Sequence, residues 1–350
     1  MKKKNYTCVL ALPLVYMVSA SNAVALSRME DLGRQLYEET NFSDPVGQSC
    51  QTCHSPESGF ADPQNAISPE DTFVSIGADG ESTGGRNAPT AAYAGYSPML
   101  HKSNRGWRGG LFWDGRADGT LTGDPLADQA QGPPLNPVEM NSTKERVVAV
   151  ISQNYAKLFM AVFGRNSLDD VDQAYTYFSI AVAAFERSTE VQQFSSAFDN
   201  GYMTPEEKAG EALFRNNCTT CHAMTLKIEE GPLFTNYGYA NIGLPANITL
   251  PGYDPEEPDL GLGVTVGDDR ENGKFKIPTL RNVSKTAPYG HNGYFSTLTD
   301  MVSFLNSRDS SNEWADPEYP FNLSENVGNM LLTDQEVDLI VTFLGALDDQ

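Results

Sequence analysis

The chain has 350 residues, with 46 acidic side chains against 24 basic ones and a formal charge of −22. Such acidity argues against nucleic acid or an anionic membrane surface as partner, because both would repel it. It suits steering of a basic partner, and equally a solvated surface that keeps the protein in solution.

The N-terminus reads as an export leader. Lys2, Lys3 and Lys4 precede a short apolar run from Cys8 to Ala20, and Ala23-Val24-Ala25 forms an A-x-A cleavage site. The run is too short to span a bilayer, and no later stretch is long enough. A signal peptide over residues 1–25 and export to the periplasm are therefore expected. Cleavage removes Cys8 and leaves four cysteines.

Met29, Leu32 and Leu36 then fall at helical spacing, with Tyr37 beside the last. This helix leads to Cys50-Gln51-Thr52-Cys53-His54, the C-x-x-C-H signature of c-type haem attachment. Thiols one helical turn apart can each form a thioether to one edge of a porphyrin. The next residue then brings its imidazole under the iron. The signature returns at Cys218-Thr219-Thr220-Cys221-His222. A four-thiolate zinc site would leave the histidine after each pair unexplained. A thioredoxin-like motif would need a βαβ setting that neither pair has. Two covalently bound c-type haems, on His54 and His222, account for all four cysteines.

Residues 55–140 hold many Gly, Pro, Asn and Asp residues and predict long ordered loops. Two helices follow. Ser142-Thr143-Lys144-Glu145 caps one carrying Val147, Val148, Ile151, Leu158 and Phe159. Ser167 caps another carrying Val171, Ala174, Tyr175, Phe178, Ala181 and Phe185. A boundary near residues 200–204 divides the mature chain into domains 26–200 and 201–350. Thr204-Pro205-Glu206-Glu207 then starts a helix with a capping box and proline at its first position. Residues 231–275 read as loop. A helix is expected over Leu298–Asn306, and a last one after Thr333, with Val337, Ile340, Val341 and Leu344 on one side.

Two internal echoes suggest duplication. Gly33-x-x-Leu36-Tyr37 recurs as Gly210-x-x-Leu213-Phe214. Arg86-Asn87-Ala88-Pro89-Thr90 is echoed in Pro278-Thr279-Leu280-Arg281-Asn282. Few segments alternate as strands do. The expected fold is mainly α: two cytochrome c-like haem domains with long ordered loops.

An open haem iron binds peroxide, and O–O cleavage needs a group that moves a proton between the two oxygens. A haem with two strong ligands carries electrons instead. The mature chain has four histidines, His54, His101, His222 and His291. Two are proximal, so few side chains remain to close either iron.

At this point the chain resembles a family. The two haem motifs, Phe112-Trp113-Asp114-Gly115-Arg116, Gln129 with Gly132-Pro133, Asn136-Pro137-Val138-Glu139-Met140, and Pro278 through Asn282 to Thr286-Ala287-Pro288-Tyr289 and His291 are similar to the bacterial di-haem cytochrome c peroxidases and their MauG-type relatives. The motifs come in the family's order and cover nearly all of the mature chain. The resemblance implies that the N-terminal haem reacts with peroxide and the C-terminal haem transfers electrons. It implies Glu139 as distal acid–base carboxylate, Gln129 as distal amide, Pro133 as distal proline and Trp113 as the residue between the haems. It also implies a calcium ion held by Asn87 and by the carbonyls of Thr286 and Pro288. Oxygen ligands suit that hard cation.

Two departures stand out. Many members carry a distal histidine after the first motif, but none lies between His54 and His101. The first iron is therefore expected to be open as made. Beyond His291 the family places a methionine or tyrosine ligand where this chain has Leu305. Met301, one turn earlier, is taken as the sixth ligand of the second haem, with Met330 and Tyr294 as the other candidates. His101 is expected at the surface.

The implied activity is cytochrome-c peroxidase-like. Hydrogen peroxide is reduced to water with electrons from a small c-type cytochrome or a copper protein (cupredoxin). The alternatives are a MauG-type oxidase acting on a side chain of a partner protein, and a non-catalytic di-haem electron carrier. A homodimer is compatible with each. No nucleic-acid partner and no transmembrane segment are expected.

Overall fold

The computed structural model describes residues 25–224 and 231–350. The expected leader lies outside them except for Ala25. Helices dominate, and several are set by capping boxes visible in the sequence. Ser27 opens α1 (Arg28–Tyr37): its backbone N–H donates to the Glu30 carboxylate at 2.6 Å, and its hydroxyl accepts from the Glu30 N–H. Thr204 does the same with Glu207 for α10 (Pro205–Asn217), and Thr333 with Glu336 for α13 (Asp334–Gly345).

Between α1 and α10 the chain forms α2 (Cys50–Cys53), α3 (Pro63–Ile67), α4 (Pro125–Ala130), α5 (Gly132–Leu135), α6 (Lys144–Asn154), α7 (Ala156–Phe163), α8 (Val171–Glu186) and α9 (Ala197–Asn200). Beyond α10 come α11 (Leu262–Val266) and α12 (Leu298–Ser307). Among the described residues the strands form two antiparallel ribbons. One pairs β1 (His101–Ser103) with β2 (Gly106–Arg108), and the other pairs β3 (Tyr239–Ala240) with β4 (Phe275–Lys276).

The architecture matches the expectation of a mainly α protein with two cytochrome c-like units. Several details differ. Residues 55–140 contain α3, α4 and α5, which are too short to show a helical period. Proline stands at the first or second position of each. The expected helix through Val147 and Phe159 breaks at Tyr155, whose hydroxyl donates to Glu39 at 2.5 Å. Asp170, not Ser167, caps α8, accepting from the Gln173 N–H at 2.8 Å.

Each unit has its own core. Leu32, Leu36, Phe42, Ile151 and Phe178 are fully buried in the first, and Phe214, Phe234, Phe304 and Phe343 lie at 0–1 % exposure in the second. The repeated glycines explain the first echo. In α1, Gly33 lies against the Ala181 carbonyl of α8. In α10, Gly210 lies against the Leu339 carbonyl of α13. A Cβ at either position would overlap that backbone oxygen and crowd Phe185 or Phe343 respectively. Backbone cannot yield as a side-chain tip can, so the helices must separate. Gly210→Ala is therefore expected to destabilise by about 1–3 kcal/mol, the usual range for overpacking, read as a lower urea midpoint. Gly345, with nothing within 4 Å of its would-be Cβ, is the control. Gly345→Ala is expected to be neutral or stabilising by up to about 1 kcal/mol. Equal behaviour of the two variants would refute the close-approach argument.

Candidate functional site

The second echo places both imidazoles. The His54 Nδ1–H donates to the Phe60 carbonyl at 3.1 Å, and the His222 Nδ1–H to the Phe234 carbonyl at 2.8 Å. A carbonyl only accepts, so each Nδ1 carries the proton and each Nε2 keeps a lone pair for a metal. Both phenylalanines take a left-handed backbone, φ 63° and 51°, which aims the carbonyl at the ring. The preceding carbonyls are pinned alike: Thr90 Oγ1 donates to Gly59 at 2.6 Å, and Thr279 Oγ1 to Leu233 at 2.7 Å. Pro89-Thr90 and Pro278-Thr279 are thus equivalent parts of a duplicated histidine mount.

Each mount opens on a cavity. The first, about 390 Å³, is lined by Cys50, Cys53 and His54. The second, about 220 Å³ and more apolar, is lined by Cys218, Cys221 and His222. Paired thiols one turn apart, an oriented Nε2 and a largely apolar cavity fit a covalently attached haem in both places.

Gln129, Pro133, Glu139 and Trp113 all line the first cavity. The Asn136 side-chain amide donates to Glu139 Oε1 at 2.7 Å. Burial raises the Glu139 carboxyl above its ordinary range, and the Asn136 hydrogen bond and the Arg116 charge partly oppose this. Among the described residues of this wall, His54 is the one imidazole. Met140 also reaches it, from the hydrophobic core.

Trp113 and Asn87 belong to both cavity walls. The Trp113 indole N–H donates to the Asn87 carbonyl at 2.9 Å, and the Lys276 N–H donates to the Trp113 carbonyl at 2.8 Å. The Asn87 amide nitrogen donates to Phe73, which leaves Oδ1 as its atom for a cation. Thr286 and Pro288 line the second cavity together with Asn87. The units are also tied by Arg86, which holds Asp259 through two bonds of 2.6 and 2.8 Å and Asp114 at 2.7 Å.

In the second cavity, Met301, Leu305 and Met330 form part of the wall. Tyr294 does not; its ring stands edge-on to Phe295, with centroids 4.9 Å apart. His291 also lines this cavity. It stacks on Phe275 at 3.4 Å, and its Nε2 meets Glu318 at 2.9 Å. His101 is exposed, as expected.

The sequence reading missed the pairing of Asn136 with Glu139, although both lie in one motif three residues apart. It also missed Glu186, which lines the first cavity from the end of α8. No local pattern marks Glu186, because α8 reads as an apolar stripe.

Comparison with known proteins extends these observations. A family model described as di-haem cytochrome c peroxidase matches residues 27–208, and one described as cytochrome c matches residues 207–348. The chain is 36% identical to the methylamine utilization protein MauG of Paracoccus denitrificans, over 97% of this chain and 94% of that protein. It is 30% identical to the cytochrome c551 peroxidase of Nitrosomonas europaea, over 79% of this chain and 72% of that protein. Its fold is similar to the crystal structure of the diheme peroxidase BthA from Burkholderia thailandensis, with a TM-score of 0.81. That match has 31% identity and covers 92% of this chain and 86% of that one.

Proposed function

The chain belongs to the di-haem cytochrome c peroxidase family, which includes MauG-type proteins, and from that premise we propose that it reduces hydrogen peroxide in the periplasm. It is an oxidoreductase with two c-type haems and, among its described residues, no helix long and apolar enough to cross a membrane. One observation carries the peroxide reading: half-buried Glu139 lines a cavity whose wall, among the described residues, has no imidazole besides His54.

A haem held by Cys50, Cys53 and His54 would supply an iron able to activate peroxide. Glu139 accepts the proton of the inner oxygen and returns it to the outer one. Gln129 orients the peroxide by hydrogen bonding, and Pro133 adds a side chain to that wall that cannot itself ligate iron. Trp113, common to both walls, is the route for electrons from the unit of His222. Asn87, Thr286 and Pro288 hold calcium beside that route. The donor is a small c-type cytochrome or a cupredoxin, and the domains divide at residue 200. The leader is cleaved after Ala25.

A second reading has its own support. The 36% identity to MauG spans nearly the whole chain, and a MauG-type oxidase would use the same cavity to oxidise a side chain on a partner protein. A plain electron carrier would have no use for Glu139 in the wall. Steady-state peroxide turnover with reduced cytochrome c, without prior reduction of the enzyme, tests the leading proposal. Turnover is expected from the first seconds. Activity that begins only after one haem is reduced would show that another group closes the first iron.

A further inference from the structure

Glu186 is the last residue of α8, and 4 % of it is exposed. Glu186 lines the first cavity with Cys50, Ala130 and Val182. Its Oε2 is buried and has no hydrogen-bond partner among the described residues. The nearby Gln192 amide donates to the Glu186 backbone carbonyl, not to the carboxyl. An ionised carboxylate with one oxygen that has neither water nor a donor is disfavoured relative to the neutral acid. The proposed function assigns this acid no role.

We propose that Glu186 takes up and releases a proton in step with the oxidation state of the N-terminal haem. Of the other charged and titratable groups in this wall, Arg86 and Asp259 hold each other, and Arg116 stays cationic. Glu139 is a second carboxyl raised by burial, which a Glu139→Gln background separates from Glu186. Arg187 favours its ionisation, but both of its terminal nitrogens are held by Asp124, at 2.8 and 2.7 Å. Asp124 itself disfavours it. Tyr37, whose hydroxyl donates to the His54 carbonyl at 2.7 Å, is pushed further from ionisation by burial. Thioether formation removes Cys50 from titration. Burial pushes Glu186 up to about 8, within reach of physiological pH.

The coupling is electrostatic. Inside a protein, where the effective dielectric is lower than in water, a change of one charge on the iron is felt by a carboxyl in the same wall. On reduction the iron gains one electron from the external reductant, and the Glu186 carboxylate gains one proton from solvent. On oxidation both leave. The linkage is reciprocal, so protonated Glu186 raises the haem's electron affinity. The sign follows. At low pH the acid is protonated in both states and the potential is level. Above the pKa of the oxidised state, reduction carries a proton with it, and the potential falls as pH rises.

The test is a spectroelectrochemical titration of the N-terminal haem in the full two-haem protein, from mildly acidic to mildly alkaline pH. The wild-type potential should be level at first and then fall. The fall should persist in Glu139→Gln, which removes the other carboxyl of this wall, and should disappear when Glu186→Gln is added to it, with two haems still attached. A level curve in Glu139→Gln, or a fall that persists in the double variant, overturns the proposal. If the double variant does not mature, infrared difference spectra in the Glu139→Gln background decide. A protonated-carboxyl band must grow on reduction at alkaline pH, and its absence overturns the proposal. The inference rests on haem in the first cavity, not on peroxide as substrate, so peroxide turnover can fail while it stands.

Discussion

Glu139→Gln is expected to slow peroxide cleavage by about 10²–10⁴-fold, the usual contribution of a positioned proton-transfer group, with both haems retained. Glutamine keeps the size of the side chain and can still pair with Asn136, so the cavity wall should hold its shape. What it loses is the ability to accept a proton from one oxygen and return it to the other. Burial of Glu139 makes this sensitive to pH. The ionised form is the proton acceptor, so the rate should fall as pH drops. Its midpoint should lie above the value of about 4.3 for a free glutamate. Asn136→Ala removes the 2.7 Å bond that favours the ionised form. It should therefore move the midpoint upward without abolishing turnover. Single-turnover peroxide kinetics at several pH values read both effects. A Glu139→Gln enzyme within about threefold of wild type, against the larger factor expected, would remove Glu139 from the mechanism.

Much of this arrangement is legible in the sequence because it is local. The C-x-x-C-H motifs fix thiol spacing and histidine position within five residues. The Ser27, Thr204 and Thr333 caps need only the next turn. The glycine echo marks a helix crossing, though the crossing partners, α8 and α13, lie far along the chain. What is not legible depends on distance. Arg86 and Asp259 are well separated in sequence, and nothing in either segment announces the pair. Glu186 is disguised by the apolar helix that carries it. The wall of the second cavity draws Tyr319, Val327 and Met330 from the long segment between α12 and α13. No periodicity could place those side chains.

The sixth ligand expected for the second haem lies where that lack of local pattern matters most. Leu298, Met301, Val302 and Leu305 all line the second cavity from α12, at the spacing of one helical face. Met301 is thus one turn from Leu305 on a surface already turned toward the cavity. Met330 reaches the same cavity from the segment before α13, whereas Tyr294 packs on Phe295. A methionine sulfur opposite a histidine raises a haem's potential, and a high potential lets the haem take electrons from a mild donor. Met301→Ala should therefore convert the second haem from low-spin to high-spin, lower its potential and slow electron entry from reduced cytochrome c. Met330→Ala should leave the spectrum unchanged. The reverse pattern would make Met330 the ligand. A low-spin spectrum in both variants would exclude both sulfurs and turn attention to Tyr289 and Tyr319, which share the wall. A tyrosinate there would favour the more oxidised iron and would weigh toward oxidation of a protein side chain rather than peroxide removal. The spin state of one variant thus bears directly on which of the two chemistries the protein performs.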